Sequence, residues 1–324
     1  MLLSWGDDGV LQSHALPLQK TRLDQLGRGG LCVVADFNGD GRADVMTLFT
    51  KGALLFAGEG VGKFKSPEYI DLNLVEQPSG ALCGDYDGDG LLDVLVAGKD
   101  GLTLLSRESE GQWNNVTYLT GELAYHGNAN RPEIVGCAPC DVNTDGRQGM
   151  AMFYRDRKPL LFFNRGFACF GWARELDLDP STAGPEAGAP GDTTPKATLG
   201  EAEDLKRGQM AGLVVDLNHD GIPDLLGVGA QNHEVWAVFG RREEGQAART
   251  CMLTLPASAF GPVTVTIREE GRNTGMYVVR SGQPAFVGRA EAGPMTLHWI
   301  GQDGKAVSRQ VEVIEDGTRV EIRP

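Results

Sequence analysis

The chain has 324 residues and carries 44 acidic against 30 basic side chains, a formal charge of −14. That length accommodates two packed domains, and an acidic surface disfavours nucleic acid and anionic membranes as partners. No apolar run is long enough to insert into a membrane.

The opening residues, Met1 to Asp8, have neither a basic n-region nor an apolar h-region, so no signal peptide is read there. Leu2 to Leu18 read as the last two strands of a sheet. A unit then repeats four times. Each copy has a short apolar run, an acidic loop, a second apolar run, a polar turn and a third run. The first copy is Leu31–Ala35, the loop Asp36–Asp44, Val45–Phe49 and Ala53–Phe56; the second is Ala81–Gly84, Asp85–Asp93, Val94–Ala97 and Leu102–Leu105. The third is Ile134–Cys137, Asp141–Gly149, Met150–Tyr154 and Pro159–Phe163; the fourth is Ala211–Val215, Asp216–Asp224, Leu225–Val228 and Glu234–Phe239. A weaker fourth run follows in the first three, near Tyr69–Leu74, Val116–Leu119 and Arg174–Leu178. Runs of four to six apolar residues bounded by Gly and Asp are strands, and no segment shows capped helical periodicity. The loops start at Asp36, Asp85, Asp141 and Asp216, 49, 56 and 75 residues apart. Four strands per unit at that period predict an all-β fold, a β-propeller with about four or five recognisable blades over residues 1–240.

The long third interval contains residues 179–209, dense in Pro, Gly and Ala, which read as a flexible insertion. Gly121–Glu133 reads as a second, shorter excursion. The fourth unit lacks its last strand. Either the N-terminal strands complete it and close the ring, or the chain is the C-terminal part of a larger propeller. After a charged linker, Arg241–Arg249, residues 250–324 lose the acidic loop and show new strands at Cys251–Leu255, Val263–Ile267, Met276–Val279, Met295–Trp299, Val311–Ile314 and Thr318–Ile322. Their alternation predicts a small antiparallel β-domain with one solvated face.

The loops carry the chemistry. Oxygen side chains stand at positions 1, 3 and 5, a Gly at 6 and, in three loops, a carboxylate at 9: Asp36, Asn38, Asp40 and Asp44; Asp85, Asp87, Asp89 and Asp93; Asp216, Asn218, Asp220 and Asp224. The position-7 carbonyls of Arg42, Leu91, Arg147 and Ile222 complete the set. A cage of six to eight hard oxygens suits Ca²⁺. The third loop has Asp141, Asn143 and Asp145, but Gly149 replaces the closing carboxylate and Thr144 a smaller residue, so it is read as a weak site beside about three strong ones.

Loop, flanking strands and period together resemble the FG-GAP/VCBS repeat family, the calcium-loop propellers also seen in integrin α-subunit heads. The resemblance covers residues 31–240 and implies calcium at the loop positions just named. The tail, with "VTVTIREEGRNTGMYVVRSGQ" and "MTLHWIGQDGKAVSRQVEVIEDGTRVEI", is similar to the ASPIC/UnbV domain that follows such propellers in cartilage-acidic-protein-like proteins. Both resemblances imply an extracellular or periplasmic binding or adhesion module for a protein or glycan partner.

Other chemistry is thin. Cys32, Cys83 and Cys137 fall on equivalent strands and read as small buried hydrophobes; Cys137 and Cys140 have redox or metal spacing, but no second Cys pair or helix accompanies them, which leaves a local disulfide as the remaining reading. Tyr125, His126 and Arg131 form the one cluster that a polysaccharide lyase or hydrolase on a propeller scaffold could use for proton abstraction. The leading expectation is a non-enzymatic module; a carbohydrate-active enzyme and a structural accessory domain are the alternatives.

Overall fold

The computed structural model describes the chain apart from residues 1, 6–10, 15–22, 61, 110, 129–131, 142, 174–195, 200–207, 232, 242–246, 258, 260 and 270–271. It is all-β and propeller-like, built from successive four-stranded antiparallel blades. Blade one is Gly29–Ala35, Asp44–Phe49, Gly52–Phe56 and Glu68–Ile70. Blade two is Gly80–Gly84, Asp93–Gly98, Gly101–Arg107 and Trp113–Asn115. Blade three is Ile134–Pro139, Met150–Tyr154, Leu160–Asn164 and Phe170–Ala173. Each acidic loop joins the first strand of its blade to the second.

The unbroken apolar runs follow from burial on both faces. Along the second strand of blade two, Val94 and Val96 face blade one, packing with Met46, Leu48 and Leu55. Leu95 and Ala97 face blade three, packing with Met150, Met152 and Phe162. Blade three repeats the device: Ala151 and Phe153 turn towards Leu225, Trp236 and Val238 of blade four. A strand with period two between two neighbours must be apolar at every position.

Blade four corrects the reading of the 179–209 segment. Its strands Gln209–Val215, Asp224–Gly229 and Val235–Phe239 gain an outer partner from Lys196–Leu199, which pairs antiparallel with Val235–Phe239. The missing strand therefore comes from within the supposed insertion. Leu2–Trp5 and Leu11–His14 instead form a separate two-stranded hairpin. The fourth-strand expectations also move. The outer strands sit at Glu68–Ile70, Trp113–Asn115 and Phe170–Ala173, and Thr117–Leu119 is a 3-10 turn; the expected run at Arg174–Leu178 lies outside the described residues. The Gly121–Glu133 excursion holds a seven-residue helix, Glu122–Asn128, whose Leu123 is buried between blades two and three. So short a helix leaves too little periodicity to read.

Residues 249–321 form two sheets face to face. Arg249–Thr254 pairs antiparallel with Ala285–Arg289, a strand not anticipated, and parallel with Thr318–Glu321. The other sheet runs Arg272–Val279, Val263–Glu269, Gly293–Ile300, Ala306–Val313. Cys251, Leu253, Val265, Leu297, Trp299 and Val320 fill the space between. This sandwich sits on the loop-bearing side of the blades. Tyr277 bridges to Gly84, and its buried hydroxyl donates to Gly146 O at 3.1 Å. Arg280 Nη2 donates to Val34 O at 3.3 Å, and Gly288 N–H donates to Asp141 Oδ2 at 2.8 Å.

The contact at Gly288 leaves no room. A Cβ there would lie 2.3 Å from Thr144 Cα and 2.7 Å from Asp141 Oδ2. Gly288→Ala should therefore lower stability by about 1–3 kcal/mol, the usual range for overpacking, seen as a reduced urea midpoint.

Candidate metal centre

The same backbone trace recurs in all four loops. The position-1 carboxylate accepts the position-6 N–H: Gly41 to Asp36 at 2.7 Å, Gly90 to Asp85 at 3.0 Å, Gly146 to Asp141 at 3.0 Å and Gly221 to Asp216 at 3.1 Å. The position-5 carboxylate accepts the position-7 N–H: Arg42 to Asp40, Leu91 to Asp89, Arg147 to Asp145 and Ile222 to Asp220, at 2.8–2.9 Å. Asn38, Asp87 and Asn218 at position 3 each accept the position-5 N–H. Positions 4 and 6 both take positive φ, at 73° and 79° in the first loop. Position 6 is Gly throughout; position 4 is Gly39, Gly88, Thr144 (φ 56°) and His219 (φ 61°). The last two hold a conformation uncommon for residues with a Cβ, and His219 is exposed.

Position 9 acts as a clip. Asp44 accepts Phe37 N–H at 2.9 Å and Gly58 N–H at 2.7 Å. Asp93 accepts Tyr86 and Arg107, and Asp224 accepts Leu217 and Gly240. Each carboxylate thus ties position 2 of its loop to the end of the third strand. In the third loop a Cβ at Gly149 would lie 2.4 Å from Phe162 O and 2.8 Å from Cys140 O, so the strand crossing excludes a side chain there. That loop is secured from outside instead, by Gly288 on Asp141. The neighbouring Gln148 donates to Cys83 O and Tyr86 Oη across the blade boundary.

Asp85, Asp87 and Asp89 each offer an oxygen within 4.8 Å of the others. Asp141 Oδ1 and Asp216 Oδ1, both position-1 oxygens, are buried without a hydrogen-bond partner. A buried unpartnered carboxylate oxygen is costly; the same oxygens, in loops that carry further acids, fit a hard dication. Residues that sequence inspection passed over complete the surroundings: Ser106 Oγ donates to Asp87 Oδ2 at 2.9 Å, and the Arg107 guanidinium donates to Phe37 O, joining loop one to blade two.

Without a cation these acids are poorly accommodated. Burial above all, and then repulsion from Asp87, pushes Asp93 up to about 8. Burial, and then Asp145, pushes Asp141 up to about 7. Burial raises Asp44 and Asp85 to about 6, against the pull of backbone N–H groups; Asp36, Asp89 and Asp224 are raised for the same leading reason.

The other sequence candidates fare differently. Cys83 and Cys140 are buried, but Cys32 is exposed and Cys137 half-buried; all are free thiols, so Cys137 and Cys140 form no disulfide. The alternation of strand Gly29–Ala35 turns Cys32 to the face opposite Val33 and Ala35, away from blade two. Tyr125 is exposed on the short helix, while the His126 side chain and Arg131 lie outside the described residues.

Acidic loops between the first two strands of successive four-stranded blades define a repeat β-propeller protein. The model of the FG-GAP-like repeat matches residues 36–96 and 85–152, spanning the first three loops. No curated protein matches the chain. Among solved structures, it is similar to an Agrocybe aegerita lectin described by its specific recognition of non-reducing terminal N-acetylglucosamine (15% identity, TM-score 0.43, 90% of this chain and 82% of that one). It is also similar to the Photorhabdus luminescens Tc holotoxin pore (13%, 0.37, 95% and 14%) and to the V. cholerae biofilm matrix protein Bap1 (12%, 0.31, 87% and 49%). Among the described residues no helix is long and apolar enough to cross a membrane.

A carboxyl whose folded pKa is raised binds more protons folded than unfolded, so it favours folding below its ordinary value near 3.8 and loses that contribution as pH rises through the folded value. In chelator, the urea midpoint should therefore fall between about pH 4 and pH 8, the window set by the ordinary carboxyl value and the raised values of Asp44, Asp85, Asp141 and Asp93; excess Ca²⁺ should flatten the fall. Asp93→Asn presents an amide to two N–H donors and should cost about 1–3 kcal/mol in calcium, with a smaller loss in chelator, where the native carboxyl is largely protonated.

Proposed function

We propose that the protein is a calcium-stabilised propeller that serves as an extracytoplasmic binding or adhesion module for a protein or glycan. The observation that carries the calcium reading is the pair of buried, unpartnered position-1 oxygens of Asp141 and Asp216, in a loop type that elsewhere gathers three carboxylates within 4.8 Å. Three loops have the full set, Asp36/Asn38/Asp40/Asp44, Asp85/Asp87/Asp89/Asp93 and Asp216/Asn218/Asp220/Asp224, with the carbonyls of Arg42, Leu91 and Ile222. The loop of Asp141, Asn143, Asp145 and Arg147 lacks a ninth-position ligand and is the weak one.

In this reading the ion supplies positive charge where four loops concentrate acids under the C-terminal sandwich, and its binding free energy becomes folding free energy. The sandwich is the counterpart of an ASPIC/UnbV domain, and the secreted setting supplies the calcium. The role is non-enzymatic; binding uses the rigid faces left between the loops and the sandwich.

Calorimetric melting in calcium and in excess chelator, with metal content by mass spectrometry, tests the reading. About three Ca²⁺ per chain are expected. At a free concentration a hundredfold above its dissociation constant, each site adds about 2.7 kcal/mol, so chelation should lower the melting temperature by many degrees. An unchanged melt with no retained metal would reduce the loops to plain Asx turns. Asp85→Asn should remove one ion and leave the others.

A further inference from the structure

A cavity of about 260 Å³ lies between the fourth acidic loop and the C-terminal sandwich. Asp216 and His219 line one wall; Arg280, Gln283 and Arg319 line the other, over a floor that includes Met252 and Leu255. Among the described residues neither arginine is in an ion pair, although the chain has 44 acids for 30 bases. Arg280 is held in place. It closes a tight turn, in which Gln283 N–H donates to Arg280 O, and its guanidinium reaches Val34 O. Arg319 stands on Thr318–Glu321, in register with Met252 of the neighbouring strand. The opposite wall holds Asp216, only 8% exposed and with Oδ1 unpartnered.

Two guanidinium groups without carboxylate partners favour a planar oxyanion. The apolar floor suits the C–H face of a ring, and Gln283 and Thr254 offer polar atoms for hydroxyls. The volume falls below the roughly 300–1,000 Å³ of pockets that enclose drug-sized molecules, so one ring is the natural occupant.

We propose that this cavity binds a single uronic acid unit, with its carboxylate on Arg280 and Arg319 and its hydroxyls on Gln283 and Thr254. This deepens the binding function above and rests on it in one respect: a dication in the fourth loop removes the repulsion that Asp216 would exert on an anion.

The test is isothermal titration of the full chain, in calcium, with glucuronate, glucose and glutarate. Glucuronate should saturate one site and bind at least tenfold tighter than either comparator. Arg319→Gln, at an exposed strand position, should weaken it about tenfold with the melting temperature unchanged. Gln283→Glu, which adds a negative charge to the wall, should abolish it. Equal binding of glucose, equal binding of glutarate, no binding of glucuronate, or an affinity insensitive to both substitutions overturns the inference. Metal content and calcium-dependent melting on the same sample separate the two readings. Retained calcium without glucuronate binding overturns only the cavity; glucuronate binding sensitive to Arg319→Gln in a metal-free chain sustains the cavity but overturns the calcium sites and the dependence of the cavity on them.

Discussion

Placing carboxylates inside a protein that is already acidic is the constraint on which this structure turns. Asp44, Asp93, Asp141, Asp216 and Asp224 are all buried, and each is the first or last acid of a loop. A buried charge must be paired or hydrogen-bonded. Backbone N–H groups meet most of that demand, and so the loops share one conformation: the trace that brings the N–H groups of positions 2, 6 and 7 to the acids of positions 9, 1 and 5. The remainder, two orphan oxygens and a set of raised acidities, is the demand that a cation would meet.

The sandwich makes that constraint sharper. It covers the loop side of the blades, withdrawing Asp141 and Gly146 from water and adding the Gly288 and Tyr277 contacts. Loop chemistry and domain docking are therefore one energetic problem. A carboxylate that repels its neighbours also weakens the surface on which the sandwich rests, so an ion bound at the loops would steady both. The strongest sign of this coupling is the third loop. Gly149 removes its internal clip because the strands cross too closely for a Cβ, and the sandwich supplies a bond where the loop has none.

The arrangement of blades explains why some expectations from sequence were sound and others slipped. Val94–Ala97 and Met150–Tyr154 read clearly as strands because both of their faces are buried and the apolar signal is unbroken. Edge strands carry half that signal: Trp113–Asn115 is polar at two of three positions, and its neighbour Thr117–Leu119 is a 3-10 turn. Lys196–Leu199 is invisible among Pro, Gly and Ala because its role is a backbone ladder to Val235–Phe239. Ala285–Arg289 was obscured by its Gly and by the turn before it.

Residue order alone determined the repeat, the strand-loop-strand unit and the oxygen-bearing side chains at positions 1, 3 and 5, with a carboxylate at 9 in three loops. These follow from local rules: Gly where φ is positive, oxygen side chains where N–H groups turn inward, and period two along each strand. Only the tertiary structure decided which blade borrows its outer strand, that Cys32 faces outward, that Gln148 spans two blades and that Arg280 and Arg319 converge with Asp216 on one cavity. Those facts join residues far apart in the chain, and their placement depends on how separately folded units pack, which no local pattern encodes.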